Sequence, residues 1–261
     1  MMGGGNGSFL WQLFWPMLVD DLVYLLIMGS GKLEGGAALA ASSILTGAIL
    51  FPFYRKRQNT AGEFSLRNGK NENPGAGEQE KNGLSVTQAA VLCVTAAAVS
   101  LFFNLLFWSW IQGPISPEEQ DTANLFRVIG GQFFPVAVAA PVAEELLFRG
   151  MVFRHLRRTV SFAPSAVLSA LLFGLTHANL WQMAYAFVLG LALALICEKH
   201  RGLWPAILFH GAANLVSLGL SAVSRVAGFW PLPPVVFFFL LVLSAVGMVL
   251  GLRRIYYEVK K

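Results

Sequence analysis

The stretch VIGGQFFPVAVAAPVAEELLFRGMVFRHLRR, residues 128–158, sets two adjacent glutamates and an arginine inside an apolar run that closes on a basic cluster. It is long enough to cross a bilayer, because roughly 20 mostly apolar residues cover the hydrocarbon core. Glu145 and Arg149 are four apart, so on a helix they share a face and can pair. Glu144 is turned about 100° away and is free to face something else. If the helix continues to Arg158, Glu144 lies about 20 Å from its basic end, at about 1.5 Å per residue. Ionisable groups at that depth are costly and default to functional hypotheses. A structural ion pair accounts for Glu145 and Arg149 and leaves Glu144 over. Pro135 and Pro141 fall in the same run and are expected to kink it, as membrane helices tolerate where neighbours satisfy the freed carbonyls.

The surrounding chain repeats this apolar character. Of its 261 residues 56% are hydrophobic and 13% charged, against roughly 25% charged in an average soluble domain. The apolar residues form uninterrupted runs rather than amphipathic stripes, so the fold class is all-α: a polytopic membrane helix bundle. Eight spans are expected, at about 9–29, 36–54, 86–112, 128–157, 164–178, 182–198, 203–222 and 232–252. Basic residues follow the second, fourth, sixth and eighth, whereas Glu118, Glu119 and Asp121 follow the third. Under the positive-inside rule both termini are then cytoplasmic, in what is expected to be the plasma membrane of a prokaryote.

The domain reading is an N-terminal transmembrane hairpin at 1–55, a flexible cytoplasmic linker at 56–84 and a membrane core at 85–261. The linker is polar and almost without apolar anchors. No charged region precedes the first apolar run, whose first following basic residue is Lys32, so that run is expected to stay in the membrane. Asp20 and Asp21 near its middle call for a tilted or interfacial helix, or for a role in substrate access. The net charge of +5 sits in short inter-span clusters and does not indicate nucleic acid. Cys93 and Cys197 lie in apolar runs and read as buried free thiols.

Two further motifs carry polar groups to membrane depth. In Phe173-Gly174-Leu175-Thr176-His177 the histidine is again about 20 Å from the start of its span, so Glu144 and His177 are expected to meet across a helix interface. In His210-Gly211-Ala212-Ala213-Asn214 the imidazole and the carboxamide share one face. The small residues between them let another helix or a substrate backbone come close. His210 and Asn214 can donate to a developing oxyanion, or can simply clamp two helices together. A carboxylate base, an imidazole and a donor pair together describe a hydrolytic site. No HExxH is present for a zinc protease. A GxGD motif is also absent, and no histidine follows Gly219-Leu220-Ser221-Ala222 as a serine site would need.

EExxxR at 144–149, FxxxH at 173–177 and HxxxN at 210–214, in this order on successive helices, resemble the CAAX prenyl protease type 2 family. This family is also called the Abi or CPBP family and includes the lysostaphin-resistance-protein-A-like domain. The resemblance covers about residues 125–222. It implies eight helices around a conical catalytic cavity and a glutamate-dependent intramembrane endopeptidase. Under it Glu144 with His177 activates water, His210 and Asn214 form the oxyanion site, and Glu145 and Arg149 shape and support it. The implied substrate is a membrane-associated peptide or a lipidated protein terminus in the lipid bilayer.

Glu144, His177 and His210 would also make a two-histidine, one-glutamate zinc set, so a metalloendopeptidase is the alternative mechanism. Against zinc, Asn214 stands where a second histidine of an i, i+4 pair is usual, and no cofactor is the favoured reading. Two other functions compete with the enzyme. One is a non-enzymatic membrane immunity or scaffolding protein. The other is an ion-coupled transporter, which should carry a broken helix pair or an inverted repeat.

Overall fold

The computed structural model describes residues 6–33, 35–67, 84–111, 130–177, 179–227 and 232–258. Among these residues there is no strand. Helices α1 (Asn6–Gly29), α2 (Gly35–Arg67) and α3 (Val86–Ile111) come first. The segment α4, residues 130–156, follows. Then come α5 (Phe162–Leu175), α6 (Leu180–His200), α7 (Trp204–Ala227) and α8 (Pro234–Glu258). The chain is a polytopic helical membrane protein. Its lipid-facing surfaces keep large apolar side chains exposed, among them Leu25, Leu26, Phe238, Phe239 and Val242.

Each expected span contains a helix, but the count of eight membrane crossings is not reproduced. Among the described residues six helices are long and apolar enough to cross by themselves: α1, α2, α3, α6, α7 and α8. The expected fifth span is a helix of 14 residues, or about 21 Å, short of the roughly 30 Å hydrocarbon core. The expected fourth span is not a continuous α-helix. It changes to π geometry at Pro135–Ala139, returns to α at Ala140–Glu145, and changes again at Leu146–Phe153. Single π turns inside helices gather at functional positions because the wider turn re-aims side chains.

The sequence explains the first π stretch. Its amide at Ala140 bonds back to Pro135 O, five residues away. The next carbonyl in that series, Val136 O, would need an N–H at position 141, which Pro141 lacks. A neighbouring helix supplies the donor instead.

Segment α4 is the axis of the molecule, packed by α1, α2, α5, α6 and α7, while α3 holds α7 and α8 from the far side. Small residues set the closest approaches. A Cβ on Gly211 of α7 would stand 2.5 Å from Ala137 O, and one on Gly190 of α6 would stand 2.9 Å from Ala170 Cβ of α5. In α1, Asp20 Oδ1 accepts a 2.8 Å hydrogen bond from the buried Thr46 hydroxyl of α2. This carboxylate is therefore turned into the helix pair, and Asp21 beside it is exposed. Helix α2 continues to Arg67, so the first part of the expected linker is helical; residues 68–83 lie outside the described residues. Cys93 and Cys197 are free thiols.

Candidate active site

Between the two π stretches the six-residue α-turn Ala140–Glu145 presents the paired glutamates in opposite environments. The side chain of Glu144 is 31% exposed and that of Glu145 is 0% exposed. The 100° step between neighbours turns one carboxylate into an internal cavity and the other into protein. The cavity has a volume of about 440 Å³ and is lined by Glu144, His177, His210 and Asn214 among others. Four of the six candidate residues thus share one space. Glu145 and Arg149 lie behind its wall, each fully buried.

The buried pair is held from several sides. Arg149 Nη1 donates to Glu145 Oε1 at 2.9 Å and Nη2 donates to Gly190 O at 3.2 Å. Its guanidinium stacks 4.6 Å from the centre of the Phe173 ring. Glu145 Oε1 also accepts from His210, whose Nδ1 is 2.9 Å away. A carboxylate accepts only, so His210 Nδ1 carries the proton of this bond. The other ring nitrogen, Nε2, is then the end that faces Glu144, at 3.6 Å from Oε2. Phe173 completes the ring packing, with its centroid 5.6 Å from that of His210 and 5.0 Å from that of His177.

This arrangement departs from the sequence expectation in one respect. Glu144 was expected to meet His177, but the imidazole beside it is that of His210. His177 sits just past the C-terminal end of α5, where its Nδ1 is 3.0 Å from Phe173 O. That carbonyl, in the last turn of the helix, also accepts from the Thr176 hydroxyl at 2.8 Å and from the Thr176 amide at 3.3 Å. The Nδ1–H donates to it, and in the neutral ring Nε2 is left as an acceptor. His177 and Glu144 line the same cavity without a direct bond between them.

Asn214 has a structural bond as well as a place on the cavity wall. Its Nδ2 donates at 2.9 Å to Val136 O, the carbonyl that Pro141 leaves without a partner. One N–H of the carboxamide is thereby committed and the second remains. The clamp reading and the oxyanion reading of Asn214 are therefore compatible.

The zinc alternative fits poorly. Among the described residues no group of three or more His, Cys, Asp or Glu side chains is gathered closely enough to hold a metal ion.

Sequence reading missed part of the cavity wall. Asn104 of α3, Gln182 and Tyr185 of α6, and Ser217 of α7 also line it. Ser217 Oγ is 2.8 Å from both Asn104 Nδ2 and Ser100 Oγ. The signal available was the one asparagine of α3, four residues after Ser100 in a mostly apolar run, since polar residues at such positions join helices.

Residues 128–216 match the model of the family described as type II CAAX prenyl endopeptidase Rce1-like. A Bacillus subtilis (strain 168) protein named "Putative membrane peptidase YdiL" is 26% identical over 150 residues, covering 53% of this chain and 57% of that protein. The similarity thus spans little more than half of the curated relative. No solved structure matches the chain.

Proposed function

Residues 128–216 of this chain belong to the type II CAAX prenyl endopeptidase Rce1-like family, and on that premise we propose that the protein is an intramembrane endopeptidase. It hydrolyses a peptide bond in a membrane-associated or lipidated peptide, using a water activated by Glu144. The observation that carries the reading is the division of the two glutamates, one open to a cavity shared with two histidines and the other sealed against Arg149.

The chemistry follows from the hydrogen bonds. Glu144 takes a proton from water as the oxygen attacks the peptide carbonyl carbon. His177, whose Nε2 is the free end of its ring, orients that water. Negative charge develops on the carbonyl oxygen and is met by donors from His210 Nε2 and the second N–H of Asn214. As the C–N bond breaks, Glu144 returns its proton to the leaving amine. With His210 protonated, two carboxylates balance one guanidinium and one imidazolium, so the buried set is neutral. Glu145 and Arg149 fix the His210 ring. No metal enters this scheme. The basic ends of α4 and α6 face the cytoplasm under this reading, with both termini on the same side.

The test is cleavage by native membranes carrying the wild-type chain or Glu144→Gln, with released peptides compared by mass spectrometry. Peptides that depend on wild-type protein and vanish with Glu144→Gln support the proposal. Equal release from both sinks the mechanism, and a cellular phenotype that survives Glu144→Gln identifies a scaffolding role instead.

A further inference from the structure

The basic clusters that mark one end of the bundle do more than orient it. Where α4 ends and α6 ends, a groove of about 330 Å³ is lined by Arg154, Arg157, Arg158 and Arg201, over a floor of Phe153 and Cys197. Four guanidinium groups face this space, and the one carboxylate among them is Glu198. Glu198 is committed to Arg157, with Nη2 at 2.7 Å from Oε1 and Nε at 3.2 Å from both oxygens. The remaining three cations have no acidic partner in the groove.

Two of the arginines are held by the fold. Arg154 donates to Tyr54 Oη and to Arg201 O, each at 3.2 Å, and Arg157 also donates to Val160 O at 2.8 Å. The other two flank the opening. Arg158 gives only Nη2, to Arg57 O at 3.3 Å, and both Arg158 and Arg201 are exposed. Arg201 is also the one non-glycine residue with positive φ, at 53°, among the described residues. The left-handed conformation is unfavourable for a residue that carries a Cβ. Glycine usually takes this place after a helix, and here Gly202 comes one residue later. The strain is borne at a position whose side chain lines the groove.

Helix α6 is long and apolar enough to cross the membrane and ends at His200, so the groove opens at the membrane–water boundary. Planar guanidinium forks suit phosphate oxygens, and basic pockets between membrane helices at that depth suit anionic headgroups. We propose that this groove binds the phosphodiester of an anionic phospholipid headgroup. The site is separate from the cavity of Glu144 and does not depend on the endopeptidase reading.

The full-length protein is delipidated in detergent and titrated with phosphatidylglycerol, phosphatidylcholine or inorganic phosphate, with bound ligand counted by native mass spectrometry. Phosphatidylglycerol is expected to be retained over phosphatidylcholine. The exposed double variant Arg158→Gln with Arg201→Gln should weaken it on the order of twentyfold, at roughly fivefold for each arginine. The variant Arg55→Gln with Arg253→Gln removes the same charge from exposed positions outside the groove and should retain the lipid fully. Equal retention by the groove variant and wild type overturns the proposal. An equal loss in the control variant also overturns it, because the attraction is then diffuse. Displacement of phosphatidylglycerol by millimolar inorganic phosphate would assign the groove to free phosphate and reject the lipid.

Discussion

His210 is bonded to Glu145 across 65 positions of sequence, Nδ1 to Oε1 at 2.9 Å, and this bond decides which end of the imidazole faces the cavity. The same carboxylate oxygen accepts from Arg149, so one fully buried group positions a cation and a ring together. The two glutamates should therefore fail differently when changed. Glu144→Gln is expected to remove cleavage with little effect on stability, because its side chain faces open space. Glu145→Gln leaves Arg149 buried and poorly paired, at a cost of about 3 to 5 kcal/mol. Thermal unfolding of both variants in the same detergent checks this, and equal melting temperatures would contradict the division of roles.

Arg149 makes two directed bonds, to Glu145 and to Gly190 O, and also stacks on Phe173. Lysine keeps the charge but has neither the fork nor the flat face. Arg149→Lys should thus lower both stability and activity, despite conserving charge. A variant with wild-type melting and turnover would show that charge alone suffices.

Close approach at Gly211 gives a steric prediction. A methyl at this position meets Ala137 O at 2.5 Å, and backbone cannot swing aside as a side chain can. Gly211→Ala should push α7 off the π stretch, displacing His210 and Asn214 together and cutting turnover at least tenfold. Gly219 lies on the same helix with nothing within 4 Å of an added methyl. Gly219→Ala should be neutral or stabilise by up to about 1 kcal/mol. The pair is read by activity and melting side by side, and similar effects of both would refute the packing argument.

Asn214 and Pro141 should be coupled through Val136 O. Asn214→Ala leaves that carbonyl without its donor, at about 1 to 3 kcal/mol. Pro141→Ala restores an N–H next to the carbonyl and should reduce the penalty. A double-mutant cycle on unfolding free energies measures the coupling, expected at about 1 kcal/mol. Strict additivity would mean that the proline is not the reason for the asparagine clamp.

Much of the site can be read along single helices. The i, i+4 spacing of Glu145 and Arg149 gives their pairing, and the 100° step separates Glu144 from it. The spacing of His210 and Asn214 likewise places both on one face. These relationships are local, since helix geometry alone relates residues a turn apart. The partner of Glu144 is not local. Depth along two spans sets Glu144 and His177 at similar heights, and only helix packing brings the imidazole of His210 beside Glu144 instead.

The membrane class and the helical segments are determined by the sequence, because apolar runs of bilayer length have few other stable forms. The order of the three motifs is likewise a property of the chain. Tertiary structure decided the rest: the second π stretch at Leu146–Phe153, the short reach of α5, and the choice of His210 beside Glu144. It also placed Asn104, Gln182, Tyr185 and Ser217 on the cavity wall. The physical reason is that contacts between helices depend on how closely small residues such as Gly190 and Gly211 let the backbones approach. No periodicity within one helix records that distance.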